Sequence, residues 1–279
     1  MEVIKWSILV ILPFLLGVLL VKYLTVHPLE MSRYLLATSL VSFVLVAVLA
    51  VAFRWKPLLI AIPLCFLLFL AGYAAMTRTF LSREDPRPVP ELTRTKGNPG
   101  LGHTAVIYFT HGEPETYDPI GWINQFNEFD EQGIPFVPLM ARPIFINQLR
   151  AKYLEVGRSD HRKMHYQMVR SLERAYREAG DRTTQFYVSF LDDNPRPDAA
   201  VVQALNDGAS RIIISEVFLT ISNHTAAISA DAIHSQYDVP ALVNEAEVPE
   251  GFSLINLGAW NDDPIVIQAI KAKIDAQMH

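Results

Sequence analysis

Apolar positions fall along this chain in two regimes. Up to about residue 80 they run with little interruption. Residues 4–24, 34–53 and 57–76 form three stretches, each close to the about 20 residues that cross the hydrocarbon core of a bilayer. No charged side chain lies in the middle of any of them, which argues for an anchor and against an ion or proton path. The first stretch follows Lys5 but is too long for a signal-peptide apolar region and has no small-residue cleavage pattern after it. Residues 81–103 carry Pro86, Pro88, Pro90, Gly97, Pro99, Gly100 and Gly102 among charges, a linker composition. His103, at its end, is expected to be solvated. The organisation predicted is a three-helix anchor over 1–80, a Pro/Gly-rich linker over 81–103 and a domain over 104–279.

From residue 104 short apolar runs alternate with helical spacing. Residues 105–109, 186–190, 212–217 and 254–257 read as strands. Residues 142–155 repeat apolar positions at Ile144, Leu149 and Tyr153, and residues 161–179 at Met164, Met168, Leu172 and Ala175, with Gly180 as a helix stop. Residues 198–206 read as a further helix. Asn223 is placed to cap another through about His234, and Asp262 or Asp263 with Pro264 opens the last. The order β-α-α-β-α-β-α-β-α predicts an α/β class: a three-layer domain with a mostly parallel sheet and helices on both faces, preceded by three transmembrane helices.

Charge and cysteine narrow the function. A formal net charge of −5 and the lack of a basic stripe argue against nucleic-acid binding. Cys65 is the single cysteine, so an intramolecular disulfide and a cysteine metal cluster are excluded. Lys22, Arg33, Arg78, Arg83, Arg87, Arg94 and Lys96 fall on one side of the three spans; Lys5, Arg54 and Lys56 fall on the other. That bias predicts an integral membrane protein with its soluble part in the cytoplasm.

The candidate chemistry sits where parallel strands should end, since in open α/β sheets the carboxyl ends of strands face one crevice. His111 closes the first run, Asp192 follows the second, and His224 comes shortly after the third. Two imidazoles and a carboxylate suit a divalent metal with open coordination positions. Glu113 and Glu216 are candidate proton carriers near the same ends. His161, His165 and His234 are read as solvated helix residues. The 161/165 spacing is one that two metal ligands can use, but no third ligand is evident beside it.

Phe109-Thr110-His111-Gly112-Glu113-Pro114, Ser189-Phe190-Leu191-Asp192, Phe218-Leu219 followed by His224, and Trp260-Asn261-Asp262-Asp263-Pro264 together resemble motifs of the class II chelatases, ferrochelatase and the sirohydrochlorin cobalt- or ferrochelatases. The stretch 138–157 followed by 161–176 is similar to the helical region after the first strand of ferrochelatase. The resemblance implies insertion of Fe²⁺ or Co²⁺, as substrate, into a porphyrin or sirohydrochlorin. It implies His111, Asp192 and His224 as metal ligands, His111, His224 and Glu113 as catalytic residues, and no organic cofactor. Ferrochelatase has two such halves in one chain; this chain has one, which implies a homodimer around the tetrapyrrole cleft. Asp192 stands where the family usually has Glu, and Thr220-Ile221-Ser222-Asn223 replaces a glycine-rich turn. Those departures leave a non-catalytic tetrapyrrole or metal carrier, or a membrane scaffold, as the alternative.

Overall fold

The computed structural model describes residues 2–53, 55–82, 89–95, 97–131, 133, 137–218, 239, 243–244, 246–247, 251–260 and 263–278. The chain forms two compact units, each discontinuous in sequence: Met1–Asp85 with Thr116–Ser159, and Pro86–Glu115 with Asp160–His279.

The first unit is helical. Helices α1 (Glu2–Thr25), α2 (Met31–Ala52) and α3 (Trp55–Leu81) contain segments long and apolar enough to cross a membrane: Lys5–Thr25, Pro28–Val51 and Pro57–Leu81. Their apolar side chains point outward as well as inward; Leu36, Phe43, Val46, Ile60 and Leu67 are exposed. That pattern suits a hydrocarbon solvent, where a helix satisfies its own backbone and has no need of a polar face. Helix α1 packs against both α2 and α3. Its crossing with α3 depends on two glycines. A Cβ on Gly17 would collide with the Phe69 carbonyl oxygen, and one on Gly72 with the Phe14 carbonyl oxygen. Small residues let membrane helices approach backbone to backbone in this way.

Two further helices, α4 (Pro119–Glu131) and α5 (Arg142–Val156), complete this unit. Helix α4 is absent from the order expected from sequence. Its Asn-, Gln- and Asp-rich composition hides it, yet Asp118 Oδ1 accepts from the Ile120 amide at 2.9 Å to start it. Ile123 and Phe126 then bury one face against Phe80, Leu81, Tyr117 and Ile146. In α5 the buried side differs from the expected one. Ile144 is exposed, Leu149 and Tyr153 are half-buried, and Arg142, Pro143, Ile146 and Arg150 are buried. The reason lies at the end of α1, whose last carbonyls have no intrahelical donors. Arg150 donates to the Tyr23 and Val26 carbonyl oxygens at 2.7 and 2.9 Å, and Tyr117 donates to that of Thr25 at 3.0 Å.

The second unit is α/β. Strand β1 (His103–Thr110) leads through α6 (His161–Glu178) to β2 (Gln185–Phe190), then α7 (Pro197–Asn206), β3 (Ala209–Glu216), β4 (Ser253–Asn256) and α8 (Pro264–Met278). The four strands make a parallel sheet in the order β2-β1-β3-β4. Alternation along β1 separates two cores. Ala105, Ile107 and Phe109 join Ile212, Ile214 and the α7 residues Ala200, Val201, Ala204 and Leu205. Tyr108 joins Val188, Phe190 and Val169 of α6 on the opposite face. Helices therefore cover both faces, and the sheet is parallel, as the alternating pattern predicted.

The ends of the helices follow the sequence closely. Gly180 adopts φ +90° just past α6, and Asp263 Oδ1 accepts from the Ile265 amide at 2.7 Å at the start of α8. Part of the Pro/Gly-rich stretch is docked on this unit. Asn206 Oδ1 accepts from the Thr93 amide at 2.8 Å, and Arg94 donates to the Ala209 and Asn98 carbonyls. His103 departs from the solvated position expected of it. It is 5% exposed at the start of β1, and burial lowers its pKa.

Candidate functional site at the carboxyl ends of β1 and β2

His111 and Asp192 follow neighbouring parallel strands, and the ladder continues past the strand ends to bring them together. The Leu191 amide donates to the Thr110 carbonyl at 2.9 Å and the Asp192 amide to the His111 carbonyl at 2.8 Å. Across that extension His111 Nδ1 lies 2.8 Å from Asp192 Oδ2 and 3.3 Å from the Gly112 carbonyl oxygen. Both neighbours are acceptors, so the hydrogen-bond network assigns the proton to Nδ1. In the neutral ring the lone pair is then on Nε2. Carboxylate-oriented imidazoles of this kind recur among metal-binding histidines, the carboxylate fixing tautomer and ring angle.

Gly112 is required for this turn. Its φ is +83°, and a Cβ there would come within 2.6 Å of the Phe190 Cβ and 3.2 Å of the Asp193 Cβ. Only glycine takes the conformation and the close approach together. Glu113 follows, exposed. Asp193, beside Asp192, is 4% exposed and holds Arg162 of α6 in a two-pronged ion pair, with Nε to Oδ2 at 2.8 Å. This pair pins the first turn of α6 to the end of β2.

Helix α6 turns its histidines toward the same strand ends. His161 and His165 are half-buried rather than solvated, and their Nε2 atoms face each other at 3.3 Å. His165 Nδ1 lies 2.9 Å from the hydroxyl of Tyr108 on β1, and that hydroxyl donates to Met168 Sδ at 2.9 Å. Burial pushes the Tyr108 hydroxyl up to about 12. Both imidazoles are lowered, chiefly by burial. For His161 the field of Glu113 opposes the shift and that of His111 adds to it. His111, Glu113, Asp193 and His161 thus share one electrostatic neighbourhood.

Glu216 ends β3 opposite Phe109 in the register and is fully buried. Asn256 Nδ2 donates to its Oε1 at 2.7 Å, while Oε2 has no partner among the described residues. Burial raises its pKa, partly countered by Asn256.

His224, with Asn223 and His234, lies outside the described residues, as do Leu219 and Asn261. Among the described residues no three His, Cys, Asp or Glu side chains are grouped to hold a metal ion. Sequence reading passes over Tyr108, hidden in an apolar strand run, and sets the pair His161 and His165 aside for want of a third ligand. The i, i+4 spacing was the available signal for the pair. Comparison of the chain with protein-family models, curated proteins and solved structures found no match.

Proposed function

We propose that this protein is a membrane-anchored chelatase of single-half type, inserting Fe²⁺ or Co²⁺ into a porphyrin or sirohydrochlorin. The observation that carries the reading is the His111–Asp192 pair at the carboxyl ends of two adjacent parallel strands, within motifs that resemble those of the class II chelatases. Metal insertion requires the pyrrole nitrogens to lose protons while a divalent ion is held loosely. An imidazole whose lone pair is on Nε2 serves as ligand or base near neutral pH. If it takes a proton, the Asp192 carboxylate stabilises the imidazolium. His224 supplies the second imidazole and the exposed Glu113 passes protons to solvent. No organic cofactor is required.

One half-domain forms one wall of a cleft, and a planar macrocycle needs two to exclude water. A second copy of the chain supplies the other, in a two-fold homodimer. The test uses the full chain in detergent, with Co²⁺ and either protoporphyrin or sirohydrochlorin, following the absorption spectrum. Wild type is expected to turn over, with activity falling as excess detergent dilutes the chains apart. His111→Ala should lose about 10²–10⁴-fold and Asp192→Asn about 10–100-fold. Equal turnover by His111→Ala and wild type would refute the site. Metal and tetrapyrrole binding without turnover would instead favour the non-catalytic carrier.

The α/β unit works on the cytoplasmic side in this reading, because the Lys/Arg excess favours it. A compartment-sensitive reporter fused after residue 279 should report cytoplasm, and a signal from the opposite side overturns the orientation.

A further inference from the structure

We propose that His161 and His165 form a metal-binding pair of their own on α6, taking a divalent transition-metal ion such as Co²⁺, Ni²⁺ or Zn²⁺ with two protein ligands and water in the remaining positions. The inference stands on this pair alone and holds whether or not the protein acts on tetrapyrroles.

Spacing comes first. Residues four apart on a helix project from one face, one above the other, and here the two Nε2 atoms are 3.3 Å apart. Two imidazole nitrogens bonded at about 2.0–2.1 Å to a tetrahedral ion lie about 3.3–3.4 Å apart. The same gap is longer than the about 2.7–3.2 Å usual for an N–H donor. The separation of the two nitrogens therefore matches the bite of a tetrahedral ion.

Protonation comes second. The Tyr108 hydroxyl oxygen lies 2.9 Å from both His165 Nδ1 and Met168 Sδ. A metal ion that takes the lone pair on His165 Nε2 leaves the ring proton on Nδ1, where the Tyr108 oxygen accepts it and the hydroxyl proton turns to Met168 Sδ. The nitrogen that faces His161 is then the ligating one. A buried hydroxyl that orients a ligating ring through its far nitrogen is the arrangement expected around a metal-bound histidine. Burial favours the neutral form of both imidazoles, which is the form that binds metal.

Chemistry of the surroundings fits a soft or borderline ion. Imidazole suits Zn, Cu, Fe and Ni. Asp193 is engaged by Arg162, and the field of Glu113 also reaches His161. The rings of His165 and Phe190 pack edge to face with centroids 6.3 Å apart, so His165 is held against the sheet.

The test is Co²⁺ titration of the full chain in detergent, without tetrapyrrole, read by the visible ligand-field bands and by equilibrium dialysis. Four variants are compared with wild type: His161→Ala with His165→Ala, His161→Gln alone, Tyr108→Phe, and His111→Ala with His224→Ala. The paired α6 variant should lose one bound Co²⁺ per chain. His161→Gln should weaken that site by about tenfold or more, and Tyr108→Phe by about tenfold, the lower end of the range for a group that orients a ligand. The pair His111→Ala, His224→Ala should retain the α6 ion while losing any ion held at the strand ends. Undiminished Co²⁺ stoichiometry and affinity in the paired α6 variant would overturn the proposal. So would disappearance of all binding in the His111, His224 variant alone. Should the paired α6 variant fail to fold, wild-type affinity in both His161→Gln and Tyr108→Phe overturns it equally.

Discussion

The two units both bury charged or chargeable side chains, and they differ in how completely some of those groups are bonded. In the helical unit the buried arginines are saturated with partners. Arg150, 2% exposed, gives protons to Tyr23, Val26 and Asn147 and lies 5.4 Å over the Tyr23 ring. Arg142 pairs with both oxygens of Asp130, reaches the Val137 carbonyl at 2.9 Å, and covers the Phe126 ring. In the α/β unit Arg94 and Asp193 are well bonded too, but two buried groups at strand ends are held by fewer bonds. Glu216 is satisfied at one oxygen only among the described residues, and neither ring nitrogen of His103 finds a partner there. A saturated buried charge fixes geometry; an under-bonded one raises the energy of the folded state and makes it respond to pH. The difference places chemical responsiveness at two buried strand ends of the α/β unit, Glu216 at the carboxyl edge of the sheet and His103 at its amino edge.

The contrast is broken most severely at Arg150. Truncation to Ala strips donors from the end of α1 and leaves the Tyr23 and Val26 carbonyls without them inside a packed interface. Each orphaned buried acceptor costs about 1–3 kcal/mol, so Arg150→Ala should lose about 2–6 kcal/mol of stability. Chemical unfolding of the detergent-solubilised protein measures it, and Arg150→Lys should recover part of the loss by restoring one donor group. A change within about 0.5 kcal/mol, ordinary for a surface site, would mean that these bonds do not hold the unit together.

How much of this was legible from the chain varies with the physics of each part. The three long apolar helices are legible because a length and a composition fit to cross a bilayer show together in the sequence. The strands are legible because a parallel sheet covered on both faces demands continuous apolar runs. The meeting of His111 with Asp192 follows from strand ends, though not the tautomer, which depends on Asp192 and the Gly112 carbonyl together. Helix faces were read less well, for one shared reason. In α6 the apolar set Met164, Met168, Leu172 and Ala175 is exposed, and the inward line runs through His161, His165 and Val169. In α5 two arginines take the inward face. Polar residues can be buried when a specific partner waits for them, and the partners — Tyr108 for His165, the end of α1 for Arg150 — come from distant parts of the sequence. Periodicity counts apolar residues and cannot see such partners.

A milder and more diagnostic perturbation is Glu216→Gln, which nearly preserves shape while removing the ionisable group. Burial, the dominant influence, raises the Glu216 pKa, and the hydrogen bond from Asn256 only partly offsets it. The folded state therefore holds this proton more tightly than the unfolded state does. Below the unfolded carboxylate range, about 4.3 for Glu, both states are protonated and the group adds no pH dependence. As pH rises through that value the unfolded chain loses its proton first, and stability falls until the folded pKa has been passed. Wild type should thus lose stability relative to Glu216→Gln between mildly acidic and neutral pH, and the difference should level off above the folded pKa. Unfolding midpoints measured in parallel from pH 4 to 8 read this directly. A difference that stays constant across the range would show that Glu216 titrates alike in both states, and would remove it from the under-bonded groups that set the α/β unit apart from the saturated arginines of the helical one.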